Sequence, residues 1–118
     1  MSQTTPRADG NRISAERGPE GYLLDPASWD DRIAVSLAAE EAITLGEEHW
    51  RILRFMREYW NEHQVAPDVR HVMGFLVESL GTDKKTAKEQ LFQMFPYGYV
   101  KQACKIAGMM RPLAWSTG

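Results

Sequence analysis

Hydrophobic residues recur at helical spacing along the middle of the chain, and the clearest such pattern begins near Thr44. Thr44 and Glu47 have the spacing of a capping box, in which both side chains satisfy free backbone N–H groups at a helix start. The residues that follow place one broad apolar face on a helix: Leu45, His49, Ile52, Leu53, Phe55, Met56, Tyr59 and Trp60. Charged residues occupy the rest of the surface, so this segment predicts a long amphipathic helix that is the scaffold of a mainly helical (α+β) domain.

Further segments carry the same helical periodicity. One helix is predicted to open between Asp25 and Asp31, and a second covers residues 68–80. Gly81 closes that second helix and Thr82 caps the next, so the two helices have the spacing of a helix-turn-helix pair. A final helix is predicted around Cys104.

The N-terminal residues lack a helical pattern. Residues 1–20 hold only scattered apolar positions between glycines and prolines, and this composition predicts a disordered lead-in. Gly21–Leu24 is a short apolar run that a turn signal ends, which indicates a strand, and its predicted partner in a short β-hairpin is Asn11–Arg17. The predicted organisation is therefore a lead-in, one domain over residues 21–108, and a C-terminal arm over residues 109–118.

Length and composition narrow the class of protein. The chain has 118 residues, of which 43% are hydrophobic and 25% are charged, and its net charge is −2, which suits one small globular domain. This balance gives no argument for a nucleic-acid or membrane partner, and no apolar run is long enough to span a bilayer. The first residues lack the apolar segment of a secretory signal, and a single cysteine cannot form an internal disulfide, so we expect a cytoplasmic protein.

The single cysteine, Cys104, is the candidate reactive atom. Lys101 and Lys105 lie near it in sequence and favour a thiolate, whereas the negative end of a helix dipole disfavours one, so charge alone leaves reactivity open. A buried cysteine with no chemical role is an equally good interpretation. Gly108 is predicted to end the helix, and Pro112 prevents its restart, so the residues beyond form an arm that can reach a partner.

Histidines and glycines give no sign of a metal or cofactor site. His49, His63 and His71 are spread over three places and lack cysteine or carboxylate partners at metal-ligand spacing, so no metal is predicted. No glycine-rich phosphate loop or nucleophile motif occurs, so no cofactor is predicted either.

A basic cluster opens the second helix of the predicted helix-turn-helix pair. Lys84, Lys85 and Lys88 lie where a recognition helix would contact DNA phosphates. The default interpretation is a solvated helix face, because this spacing is common in small helical proteins and the chain is not basic overall. A DNA-binding regulator is therefore kept as one functional hypothesis.

A series of short motifs, in order along the chain, resembles the DsrC/TusE family of sulfur-relay proteins, whose members include the gamma subunit of dissimilatory sulfite reductase. The resemblance covers residues 20–114. It rests on Gly21-Tyr22-Leu23-Leu24-Asp25-Pro26 with Trp29, Ala38-Ala39-Glu40-Glu41, Glu47-Glu48-His49-Trp50, Ile52-Leu53-Arg54-Phe55-Met56-Arg57-Glu58-Tyr59-Trp60, Ala66-Pro67, Leu91-Phe92, Phe95-Pro96 and Gln102-Ala103-Cys104-Lys105-Ile106-Ala107-Gly108. It implies a small helical fold with an N-terminal hairpin and a flexible C-terminal arm.

The resemblance also implies where the family's chemistry lies. In full DsrC-type members one cysteine corresponds to Cys104, and a second lies eleven positions later and carries the sulfur. TusE-type members, which pass sulfur toward tRNA thiolation, keep only the distal cysteine. Members act as sulfur carriers with sulfite reductase or sulfurtransferase partners rather than as enzymes on their own.

This chain departs from that pattern at the arm. Position 115 is Trp115, and Arg111 and Pro112 stand in a segment that differs from the family's usual Leu-Pro-Lys-Pro. An indole cannot form a persulfide, so we expect an accessory or regulatory member of sulfur metabolism, with Cys104 as a thiol sensor or auxiliary acceptor. An active carrier that uses Cys104 is the alternative within the same family.

Overall fold

The computed structural model describes residues 16–109, and α-helices dominate them. The α-helices are α1 (Asp31–Glu40), α2 (Glu47–His63), α3 (Val69–Leu80) and α4 (Lys84–Met94). A π-helical segment, Tyr99–Cys104, follows and continues into one more helical turn, and we call it the C-terminal helix. Short 3-10 turns at Pro19–Gly21 and Pro26–Ser28 precede α1. The predicted mainly helical class is therefore confirmed.

Three of the helices start with an aspartate whose carboxylate caps free backbone N–H groups. Asp30 accepts from the Ile33 N–H at 2.9 Å, and Asp83 accepts from the Thr86 N–H at 2.8 Å. Asp68 does the same for α3. The predicted cap at Thr82 is wrong by one residue, because the charged carboxylate of its neighbour is a stronger acceptor near the positive end of the helix dipole.

The predicted capping box at Thr44 is also wrong. The N-cap of α2 is Gly46, which has no side chain to cap with. Instead, His49 turns back and its Nδ1 accepts a hydrogen bond from the Gly46 N–H at 3.0 Å. A histidine one turn into the helix thus performs the role that the sequence pattern assigned to Glu47.

Buried side chains from all four α-helices and from the C-terminal helix form one hydrophobic core. Scaffold helix α2 contributes Ile52, Leu53 and Met56, all fully buried. Phe55, predicted as part of the same face, is only partly buried and stacks on Phe75 with ring centres 4.6 Å apart. The other large side chains that are fully buried are Leu23, Leu37, Val72, Leu76, Phe95, Tyr99, Gln102, Ile106 and Met109.

The predicted hairpin is reduced to a single antiparallel bridge, Arg17–Leu23, in the part of the chain that the structure describes. Backbone hydrogen bonds support it on both sides, from Gly18 to Tyr22 and from Leu24 to Glu16. Residues 11–15 of the predicted partner strand, and residues 1–15 of the predicted lead-in as a whole, lie outside the described residues.

Helices α3 and α4 are in contact and form the predicted helix pair. Gly81 ends α3 in the left-handed conformation (φ 62°), which glycine adopts without a steric penalty. None of the helices within residues 16–109 is long and apolar enough to cross a membrane.

Candidate functional site

Cys104 is completely buried at the end of the π-helical segment. Burial raises the pKa of its thiol to about 12, because the charged thiolate would lose its hydration, and a hydrogen bond with Tyr99 offsets only part of that effect. The thiol is therefore protonated at neutral pH. The charges near Cys104 in sequence left open whether its thiol is reactive, and its burial favours the protonated, unreactive form.

Tyr99 is the direct neighbour of this thiol. Hydrogen bonds of a π-helix join residues five apart, so Tyr99 and Cys104 lie on the same side of the C-terminal helix. The Tyr99 hydroxyl also donates to the carbonyl of Pro67, which lies just before α3. Desolvation strongly raises the pKa of this hydroxyl. Tyr22 forms a second buried link, because its hydroxyl donates to the Val100 carbonyl at 2.8 Å. These two tyrosines fix the helix that carries Cys104.

The two lysines near Cys104 face away from it, toward the end of α1. Lys105 Nζ lies 3.3 Å from Glu41 Oε2 and 5.7 Å from the centre of the Tyr22 ring. Glu41 also accepts from the buried Gln102 side chain at 3.0 Å, whereas Lys101 is exposed. A cleft of about 330 Å³ opens here, lined by Glu20, Tyr22, Glu41, Tyr97, Lys101 and Lys105. The Glu41 carboxylate thus compensates the charge of Lys105, so this lysine does not stabilise a thiolate at Cys104.

Gly108 ends the C-terminal helix as predicted. Its φ is +77°, and an added Cβ would overlap the indole of Trp29, so both backbone conformation and space require glycine. The Met109 N–H donates to the Cys104 carbonyl and the Gly108 N–H donates to the Lys105 carbonyl, each at 3.0 Å. This pattern is a Schellman motif.

Side chains from elsewhere in the fold satisfy the two remaining carbonyls of this helix end. Trp29 Nε1 donates to the Ile106 carbonyl at 2.8 Å, and Arg57 Nη1 donates to the Ala107 carbonyl at 3.0 Å. Every carbonyl from residue 104 to residue 107 therefore has a donor. We call this set of contacts the arm root, because the next residue, the buried Met109, leads into the C-terminal arm.

From the sequence, Trp29 and Arg57 stand out only as parts of the family motifs, and Tyr99 does not stand out. These three residues act through contacts with distant segments, for which a single sequence carries no signal. The arm residues Arg111, Pro112 and Trp115 lie outside the described residues.

The three histidines do not come together as ligands of a metal site in the part of the chain that the structure describes. His49 is engaged at the start of α2, where its ring also lies 3.1 Å from the Met94 carbonyl. His63 and His71 both pack against the ring of Tyr59. Over residues 16–109, no three histidine, cysteine or acidic side chains converge as a metal site would require.

The basic cluster of α4 is placed at the protein surface. Lys84, Lys85 and Lys88 are all exposed. The carboxylate of Asp83, whose pKa is lowered mainly by the hydrogen bond from the Thr86 N–H, already occupies the anion-binding end of this helix. The three lysines therefore lie close together on the surface, but the N-terminus of α4 is not free to bind an anion.

Comparison with known proteins identifies the family. A family model described as "DsrC like protein" matches residues 9–114. The chain is 37% identical over 105 residues to the sulfurtransferase TusE of Salmonella typhimurium, an alignment that covers 89% of this chain and 94% of that protein. The chain therefore belongs to the DsrC-like family.

Solved structures show the same fold. The oxidized gamma-subunit of the dissimilatory sulfite reductase (DsrC) from Archaeoglobus fulgidus matches with a TM-score of 0.75 at 31% identity, covering 85% of this chain and 90% of that one. DsrC of Allochromatium vinosum matches with a TM-score of 0.72 at 38% identity, covering 83% and 87% of the two chains. The predicted membership of a sulfur-relay family is thus confirmed, and the names of these relatives give no support to the DNA-binding alternative.

Proposed function

We propose that this protein is an accessory or regulatory member of a sulfur-relay system, which binds sulfur-handling proteins without carrying sulfur on its C-terminal arm. The observation that carries this proposal is the identity of position 115. The resemblance places the carrier cysteine of the family there, and this chain has Trp115. An indole ring has no nucleophilic sulfur, so the residue at that position does not accept a persulfide.

The burial of Cys104 supports the same conclusion. A sulfur carrier needs a thiolate that reaches the persulfide of a donor and then presents the sulfur to an acceptor. Cys104 is fully buried and its pKa is raised, so its thiol meets neither requirement in the folded protein. As a thiol sensor it would react only after local opening of the C-terminal helix.

Sulfurtransferases and sulfite reductases are the partner classes that fit this proposal. The relatives are named as a sulfurtransferase and as a subunit of a sulfite reductase. Because this chain shares the fold of these relatives, its surface can contact the same classes of protein. Trp115 in place of the carrier cysteine removes the sulfur-transfer step. A lone thiol without an internal partner suits a reducing compartment, so we place this function in the cytoplasm.

Competition in a reconstituted relay tests the proposal. A persulfidated sulfurtransferase is mixed with a cysteine-bearing DsrC-type or TusE-type relative, and sulfur transfer is followed with increasing amounts of this protein. We expect transfer to the relative to slow, and we expect the Cys104→Ser variant to compete equally well. Unchanged transfer at a large excess, across a panel of sulfurtransferases and a dissimilatory sulfite reductase, would contradict the proposal.

A further inference from the structure

Arg57 is a half-buried cation at the arm root. Besides its bond to the Ala107 carbonyl, its Nη2 donates to the Pro26 carbonyl at 2.8 Å. Two indoles enclose the guanidinium, with ring centres 4.7 Å away for Trp29 and 5.2 Å away for Trp60. Among residues 16–109 no carboxylate forms an ion pair with it, and burial lowers its pKa.

These contacts are not those of a residue that only fills space. A half-buried charge without a carboxylate is costly, and an apolar side chain would pack between the two indoles without that cost. The guanidinium adds a planar fork of N–H donors, which can join carbonyls of two separate segments while its faces stack on aromatic rings. At this position the fork ties Pro26 to Ala107, the residue before the helix-ending glycine.

The location matters because position 115 is close to the arm root in sequence. Trp115 follows Met109 by six positions. An extended chain advances about 3.3–3.6 Å per residue, so position 115 lies within roughly 22 Å of Met109. If the last helical turn opened, several further residues would join the arm, and both its reach and its direction of departure would change.

We propose that Arg57, supported by Trp29, is a positioning residue that sets where and in which direction the C-terminal arm leaves the domain. It holds the Ala107 carbonyl, Trp29 holds the Ile106 carbonyl, and together they keep the final turn closed. The part of this inference that concerns partner binding rests on the proposed function, because it requires that the arm contacts a sulfur-handling protein.

Hydrogen exchange of the full chain tests the positioning role without any partner. Arg57→Lys keeps a positive charge but lacks the planar fork, and Arg51→Lys is the matched control on the exposed face of α2. In Arg57→Lys we expect the amides of Gly108 and Met109 to exchange about tenfold faster or more, while core amides of α2 keep their rates. The control should leave all these rates unchanged.

Two results would overturn the inference at this stage. Unchanged exchange at Gly108 and Met109 in Arg57→Lys would show that the guanidinium does not hold the arm root. Equally faster exchange throughout the core would show that Arg57 contributes only to global stability. Both readouts are independent of the proposed function.

A double-mutant cycle on partner affinity then tests the link to the arm. Arg57→Lys and Trp115→Ala are measured singly and together against the sulfurtransferase or sulfite reductase that the wild-type chain binds. If Arg57 acts through the arm, the two losses in affinity are not additive, because a misplaced arm gains little from its tryptophan. Additive losses would contradict the link. If the wild-type chain binds none of these proteins, the proposed function fails, while the exchange rates still decide whether Arg57 positions the arm.

Discussion

The Cys104 thiol lies beside the Tyr99 hydroxyl in the C-terminal helix, and that hydroxyl donates a hydrogen bond to the Pro67 carbonyl. One buried phenol therefore connects the only thiol of the chain to the segment that leads into α3. Removal of the Tyr99 hydroxyl therefore acts at two places. The buried Pro67 carbonyl loses its donor, and the thiol loses its polar neighbour.

Replacement of Tyr99 by phenylalanine measures the strength of this connection. The variant keeps the ring but loses the hydroxyl, and a buried acceptor without a partner costs about 1–3 kcal/mol. We expect the free energy of unfolding in urea to fall by that amount. Tyr97→Phe is the control, because Tyr97 is 73% exposed, and it should change stability very little. Equal stabilities of the two variants would show that the Tyr99 hydroxyl makes no net contribution.

The burial of Cys104 predicts a specific loss of stability at alkaline pH. The folded pKa, raised to about 12, lies above the unfolded value near 8.5, so between these values the folded state binds more protons than the unfolded state. The contribution is fully present below the unfolded pKa and is lost as pH rises toward the folded pKa. Urea unfolding at about pH 7.5 and about pH 9.5 should therefore show a larger decline for the wild type than for Cys104→Ser. The same decline in both proteins would mean that the thiol titrates normally in the folded state.

Gly108 offers a test of the arm root with a matched control in the same chain. Gly108 and Gly81 both have positive φ, at 77° and 62°, but an added Cβ would overlap Trp29 only at Gly108. Alanine in the left-handed region costs about 1–2 kcal/mol at either position. Overpacking adds about 1–3 kcal/mol at Gly108, so we expect Gly108→Ala to be clearly less stable than Gly81→Ala in urea unfolding. Equal losses would show that Trp29 does not pack closely over this glycine.

Periodicity predicted the helices well because it reports which face of each segment is apolar. The long pattern through Ile52 and Met56 corresponds to α2, and the glycine at position 108 ends the last helix as its residue type suggested. Helix starts were less accurate. Several residues near each start can act as caps, and the geometry of the folded chain decided in favour of Asp83 and His49.

The candidate site was predictable only in part. Sequence singled out Cys104 because it is the only cysteine, but neighbouring lysines could not reveal that its thiol is buried against Tyr99. The contact of Arg57 with Ala107 spans fifty positions along the chain, and no local pattern encodes such a contact. Family resemblance supplied what the local patterns lacked, namely the importance of position 115.

The most direct test of the account is sulfur loading measured by intact mass. The wild-type protein, Cys104→Ser and Trp115→Cys are each incubated with a persulfidated sulfurtransferase, and the added sulfur is located by peptide mapping. Because Cys104 is buried and Trp115 has no thiol, we predict that most wild-type molecules gain no sulfur, whereas Trp115→Cys gains sulfur at position 115. Efficient loading of the wild-type protein that Cys104→Ser abolishes would contradict the account and make Cys104 the working sulfur acceptor.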